Sequence, residues 1–142
     1  MLFLIHRDNH PDLTYHGGQL PILHFEADLL RTIKWAEEHR KRWAFTLSNA
    51  GAYYFEDRCE LEQLNEINWD AVSERKWSGR GVSPAVQEGK QAEFLIEDCF
   101  PWELVERIGI RSHAVVNRVD QALLAIAHRP VIEVRTDWYY LD

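Results

Sequence analysis

Apolar residues in this chain come only in short runs. Met1–Ile5, Leu20–Phe25, Trp43–Leu47, Ile108–Arg111 and Val131–Val134 are each a few residues long, and turn formers or charges lie between them. Runs of that length suit the strands of a small sheet, and two stretches of helical period separate them. A membrane span needs about 20 consecutive apolar residues, far more than Met1–Ile5 or Ala122–Ala127 supplies. Leu2–Ile5 leads straight into His6 and Arg7, which is not the layout of a secretory signal, so the expected location is the cytoplasm. With 142 residues, 46% of them hydrophobic and 6 tryptophans, the chain can bury a core, and a single domain spanning 1–142 is expected. Cys59 and Cys99 form no Cys-x-x-Cys pair and read as reduced core thiols.

The elements follow in order. Met1–Ile5 reads as a buried strand, and the turn formers of His6–Gln19 as a loop. Leu20–Phe25 is a second strand. Ala27–Arg40 places Leu29, Leu30, Ile33 and Ala36 at helical spacing. Trp43–Leu47 is a strand that ends in the turn Ser48–Gly51. Glu60–Ile67 suits a short helix, with Asn68 or Asp70 able to cap a further turn toward Trp77. Ser78–Gly89, with three glycines and Pro84, reads as a long mobile loop. Lys90–Ile96 alternates, which puts Glu93 mid-strand on the face of Gln91 and Leu95. Pro101 opens a helix through Glu106 that Gly109 ends. Ile108–Arg111 is a strand, His113–Ala127 a helix and Val131–Val134 the closing strand. The class is mixed α+β with a small antiparallel or mixed sheet.

Several chemistries are excluded. The seven histidines, His6, His10, His16, His24, His39, His113 and His128, show no tight ligand spacing, so no metal is expected. There is no Gly-x-Ser-x-Gly nucleophile turn, and Gly17-Gly18 and Gly79-Arg80-Gly81 complete no phosphate or dinucleotide fingerprint. A net charge of −7 argues against coating nucleic acid through the overall field. Residues 71–92 reverse the sign locally, with Arg75, Lys76, Arg80 and Lys90 against Glu74 and Glu88. Glu93, just after that basic segment, is the carboxylate that stands out; pattern alone favours a solvated edge position or pairing with Lys90 or an arginine.

Larger motifs decide further. Lys90-Gln91-Ala92-Glu93-Phe94-Leu95 is followed by Pro101-Trp102-Glu103-Leu104 and Ile108-Gly109-Ile110, and preceded by Leu4-Ile5-His6-Arg7 and by Gly17-Gly18-Gln19 with Pro21-Ile22. Phe45-Thr46, Asn49-Ala50, Ile67, Trp69 and Trp77 fall in between. In this combination, over nearly its whole length, the chain resembles the DarT family, the toxins of DarT–DarG toxin–antitoxin systems.

The resemblance implies an ADP-ribosyltransferase-like fold, with a mixed or antiparallel sheet core and flanking helices. NAD⁺ is the co-substrate, split at its nicotinamide ribose, and the ADP-ribose is joined to a thymidine base in single-stranded DNA. It implies Glu93 as the catalytic glutamate, His6, Arg7 and Gln91 as walls of the NAD⁺ pocket, and the segment from about Asn49 through Lys90 as the loop presenting the target strand. Asn49, Arg75, Lys76, Trp77, Arg80 and Lys90 are then the DNA-binding residues, with Trp77 a candidate for stacking on bases and Trp69 expected in the core. A macrodomain antitoxin of the DarG kind is the implied partner, with no membrane and no metal. Family members carry a histidine-containing NAD⁺ motif and a Pro-Arg-Ser-Pro-like segment upstream of the region matching Met1–Arg7, so a chain shortened at its N terminus is expected. Two alternatives remain: a catalytically incomplete remnant that binds single-stranded DNA or a protein through residues 71–92, and an interaction domain with an acidic surface.

Overall fold

The computed structural model describes residues 2–7, 11, 13–77 and 79–140. The turn residues Asp8 and Asn9, His10 and Ser78 lie outside them. The mixed α+β class is what the structure shows, in two compact units: Met1–Thr32 with Pro101–Asp142, and Ile33–Phe100.

The first unit holds α1 (Leu2–Arg7), β1 (His24–Ala27), β5 (Val105–Ile110), α5 (Val116–Leu123) and β6 (Val131–Val134). β5 is the middle strand of its sheet, antiparallel to β1 and parallel to β6. Parallel neighbours need a crossover of a dozen residues or more, and the segment containing α5 supplies it. Val105, Ile108 and Ile110 pack with Val115, Val119 and Leu123, spaced four apart along the helical segment, to make the core. Beside them, Arg107 reaches Glu26 on β1 at 2.8 Å and also Glu133 on β6, so one guanidinium ties all three strands.

Gln19 is buried, and its amide is fully used: Nε2 donates to the Tyr140 carbonyl at 2.9 Å, Oε1 accepts from Tyr140 N–H at 2.9 Å, and Nε2 lies 3.0 Å from His6 Nδ1. The aromatic tail is thereby fastened to α1. Tyr139 directs its hydroxyl to the carbonyls of Ile22 and Gly109, at 2.6 and 3.0 Å.

The second unit carries the remaining sheet, in order β3 (Asp57–Arg58), β2 (Trp43–Thr46), β4 (Phe94–Ile96), all antiparallel. Two short helices, α3 (Trp69–Ser73) and α4 (Pro84–Gly89), precede β4. Asn68 caps α3 by accepting from Ala71 N–H at 3.0 Å, and Ser83 caps α4 with Pro84 in its first turn. The helices touch at Gly89, where a Cβ would stand 2.8 Å from that of Ala71. Helix α2 (Leu29–Glu38) contains the boundary between the units.

Several sequence expectations are corrected. The strand expected at Met1–Ile5 is not formed over its described part; α1 occupies Leu2–Arg7, because a short apolar run suits either period and the basic pair His6 and Arg7 sits well at a helix C-terminus. The strand expected at Leu20–Phe25 begins at His24. Glu60–Ile67 forms a 3₁₀ turn over Leu61–Glu66. Ser78–Gly89 is not wholly loop, since its Ser-Pro pair is a helix start and α4 follows. Only a 3₁₀ turn, Trp102–Leu104, follows Pro101, and β5 takes the residues through Glu106 because β-branched Val105, Ile108 and Ile110 fill the sheet. Gly109 does not end a helix: it lies in β5 with the Trp138 ring against its backbone, where a Cβ would collide. Regular helix between His113 and Ala127 is confined to Val116–Leu123 after a 3₁₀ turn. Cys59 and Cys99 are both exposed, since each follows a strand end instead of lying within one.

Candidate active site

Glu93 is held by its main chain. The strand begins four residues later than the alternation of Lys90–Ile96 implies, at Phe94, so Glu93 stands at the mouth of β4 and not mid-strand. Its carbonyl accepts from Thr46 N–H at 2.8 Å, and its N–H donates to Thr46 Oγ1 at 3.0 Å. Thr46, fully buried at the end of β2, donates its own hydroxyl to the Ser48 carbonyl at 2.6 Å. Both backbone groups of Glu93 are therefore committed, while its side chain is exposed and enters no ion pair among the described residues. Pairing with Lys90 or an arginine does not occur.

The two residues before Ala92 brace the site. Gln91 donates from Nε2 to the Gln87 carbonyl of α4 at 3.0 Å and accepts at Oε1 from Asn49 Nδ2 at 2.9 Å. Asn49 in turn accepts the Gly51 N–H at 2.7 Å, an Asx turn that shapes the loop after β2. Lys90 turns inward to the carbonyls of Ala71 and Glu74, and its ammonium sits 5.4 Å from the centre of the Trp77 ring. Burial pushes its ammonium below the ordinary lysine range, only partly opposed by the Glu74 carboxylate. Lys90 thus pins the end of α3 and the start of the loop beyond it.

Arg75, Lys76 and Arg80 are exposed on that loop and make no ion pair among the described residues. Trp77 is half-buried. Trp69, expected in the core, is half exposed, its indole N–H donating to the Leu64 carbonyl at 2.9 Å; the 3₁₀ turn before it, not a core, receives the ring's polar edge. Sequence reasoning passed over Tyr53, Tyr54 and Phe55, an aromatic triplet exposed just beyond Asn49. Its signal was three rings directly after a Gly51-Ala52 turn.

His6 and Arg7 belong to the first unit. His6 is half-buried, its ring stacked on Tyr140 at 5.5 Å, and Arg7 is exposed. That unit also contains an apolar cavity of about 350 Å³ between β1, β5 and α5, lined by Leu23, Phe25, Trp102, Val119 and Leu123 with Arg118. None of the expected site residues lines it. Among the described residues, no three metal-ligating side chains gather, and no helix is long and apolar enough to cross a membrane.

Comparison with known proteins gives this geometry its context. A DNA ADP-ribosyl transferase of Thermus aquaticus is 36% identical over 142 residues, which is 99% of this chain and 58% of the relative. A second DNA ADP-ribosyl transferase, from Thermus sp. strain 2.9, is 34% identical over 128 residues, 89% of this chain and again 58% of the relative. Solved structures of Thermus sp. 2.9 DarT, one in complex with NAD⁺ and one with ADP-ribosylated single-stranded DNA, each superpose with a TM-score of 0.84 at 30% identity. They cover 98% of this chain, which spans 66% and 63% of theirs. The chain thus spans rather more than half the length of the curated relatives it matches. The family described as "ssDNA thymidine ADP-ribosyltransferase, DarT" matches residues 1–140, and the chain belongs to that family.

Proposed function

We propose that this chain forms part of an NAD⁺-dependent transferase that joins ADP-ribose to a thymidine base in single-stranded DNA, with Glu93 as its catalytic carboxylate. The observation that carries the reading is the setting of Glu93: main chain locked to Thr46, exposed carboxylate with no ion pair among the described residues, directly after the segment that bears the exposed cations. Cleavage of the bond between nicotinamide and ribose sends the electron pair to the nicotinamide ring, which leaves neutral, and positive charge develops on the ribose. A fixed carboxylate accepting a ribose hydroxyl stabilises that charge where it matters, in the transition state. Thymine in DNA has a single ring N–H. Its nitrogen forms the new bond to the ribose carbon, and its proton passes to the carboxylate.

Family likeness supports His6, Arg7 and Gln91 as contacts of the dinucleotide, and Asn49, Arg75, Lys76, Trp77, Arg80 and Lys90 as the DNA-facing set. Within that set, the hydrogen bonds of Lys90 and Asn49 favour a bracing role, leaving phosphate contact to Arg75, Lys76 and Arg80. The same likeness supports a toxin of the cytoplasm, restrained by a macrodomain antitoxin. Labelled NAD⁺ incubated with a thymidine-containing single-stranded oligonucleotide tests the reading. Label should enter the DNA, and Glu93→Gln should reduce transfer by about 10²-fold or more. Transfer undiminished in Glu93→Gln removes the mechanism. Salt-dependent oligonucleotide binding without turnover assigns the chain to a binding module instead.

A further inference from the structure

We propose that Tyr53, Tyr54 and Phe55 form a base-stacking platform that grips the DNA strand beside the acceptor nucleotide. The proposal rests on the reading of this chain as acting on single-stranded DNA. Tyr53 is fully exposed, Tyr54 is 71% exposed and Phe55 is 42% exposed, and none meets another ring among the described residues. Two rings standing largely in water, with a third partly exposed beside them on consecutive residues, present π surface to solvent.

The turn that carries them is stitched in place. Ala52 N–H donates to the Asn49 carbonyl at 3.0 Å, Phe55 N–H to the Ala52 carbonyl at 3.3 Å, and Leu47 N–H to the Glu56 carbonyl at 3.1 Å. Asn49 then reaches Gln91, two residues from Glu93, while Thr46 at the foot of the turn holds Glu93 itself. The rings and the carboxylate therefore stand on one hydrogen-bonded base. Such anchoring limits the ordering entropy that a ligand would otherwise have to offset.

The chemistry of the turn selects its occupant. Residues 49–55 carry no charge, and the Glu56 carboxylate that follows is paired with Arg58 at 2.8 Å. Uncharged π faces suit nucleobases, and the phosphates fall to the exposed cations Arg75, Lys76 and Arg80 of the same unit. A protein partner would want aliphatic neighbours around the rings, where the turn offers only Gly51 with Ala50 and Ala52. Since every base has a π face, the platform supplies grip and not the choice of thymine.

The test uses the full chain carrying Tyr53→Leu with Tyr54→Leu, which keeps apolar bulk but removes the π faces. Anisotropy of a labelled thymidine oligonucleotide measures binding, and transfer kinetics measure its KM. Each ring removed should weaken binding and raise KM about tenfold, whereas Tyr53→Phe should bind as wild type. Abasic sites flanking the acceptor should weaken binding to wild type by a similar factor and add nothing in the double variant. A double variant that binds as tightly as wild type overturns the platform and leaves the transferase reading standing. Wild type that binds no oligonucleotide overturns both. Leucine variants that keep DNA binding but lose association with a purified macrodomain assign the turn to a protein and overturn the proposal.

Discussion

Among single residues, Lys90 and Arg80 differ in setting: Arg80 is exposed, and Lys90 turns inward. Both were expected on DNA phosphates. In the structure the Lys90 ammonium lies against two carbonyls and the Trp77 ring, a charge-assisted arrangement that fastens backbone. Lys90→Met should therefore lower stability by about 1 kcal/mol in thermal or urea unfolding, with the salt dependence of oligonucleotide binding unchanged in slope. Arg80→Gln should do the reverse: melting as wild type, but a slope of log K against log salt shallower by about 0.7. If Lys90→Met alters the slope as Arg80→Gln does, Lys90 is a phosphate contact after all. Residue type and spacing pointed to both cations, yet only the path of the chain between α3 and α4 turns one inward.

At the scale of elements, α3 and α4 hold the segment before Glu93, and their stability comes from caps and one close contact more than from length. Helices of five and six residues do not stand alone in water. Asn68→Ala removes the cap on α3 and should cost about 1 kcal/mol, read as a lower melting temperature. Gly89→Val should cost more, because its Cβ meets Ala71 Cβ where nothing flexible can yield. The expected signature is faster hydrogen exchange through residues 68–91 with the β1–β5–β6 sheet protected as before; unchanged exchange there would show that the two helices do not depend on each other. A cap at Asn68 or Asp70 was readable in advance because a capping side chain acts within three residues, and the structure places it at Asn68. α4 was hidden by Gly79 and Gly81, which belong to the turns before it, and by Gly89 at its own end, although Ser83-Pro84 signalled the start.

For the molecule as a whole, stability against pH falls to His24. Its ring sits edge-on to Tyr139 at 4.7 Å and to Trp138 at 6.1 Å, its Nε2 is buried without a hydrogen-bond partner among the described residues, and burial lowers its pKa below the ordinary histidine value. The folded chain therefore resists the proton that the unfolded chain accepts below about pH 6.5. Stability contributed by the neutral ring is complete above that value and is lost as pH falls toward the lowered folded value. Melting temperature should drop between about pH 7.5 and about pH 5.5, and His24→Phe should flatten the decline; an equal decline in the variant assigns it to other groups. What the linear chain determined by itself was whatever acts locally or by motif: the α+β class, β2, β6 and the centre of α2, a cap at Asn68 or Asp70, and membership of the family through Glu93 and its flanking residues. The tertiary structure alone decided whether short apolar runs became strand or helix, that Trp69 and both cysteines face water, and where the ammonium of Lys90 points. The reason is range. Period and propensity act over a few residues, whereas the partners that settle these questions come from distant chain, as Thr46 does for Glu93 and Tyr140 for Gln19.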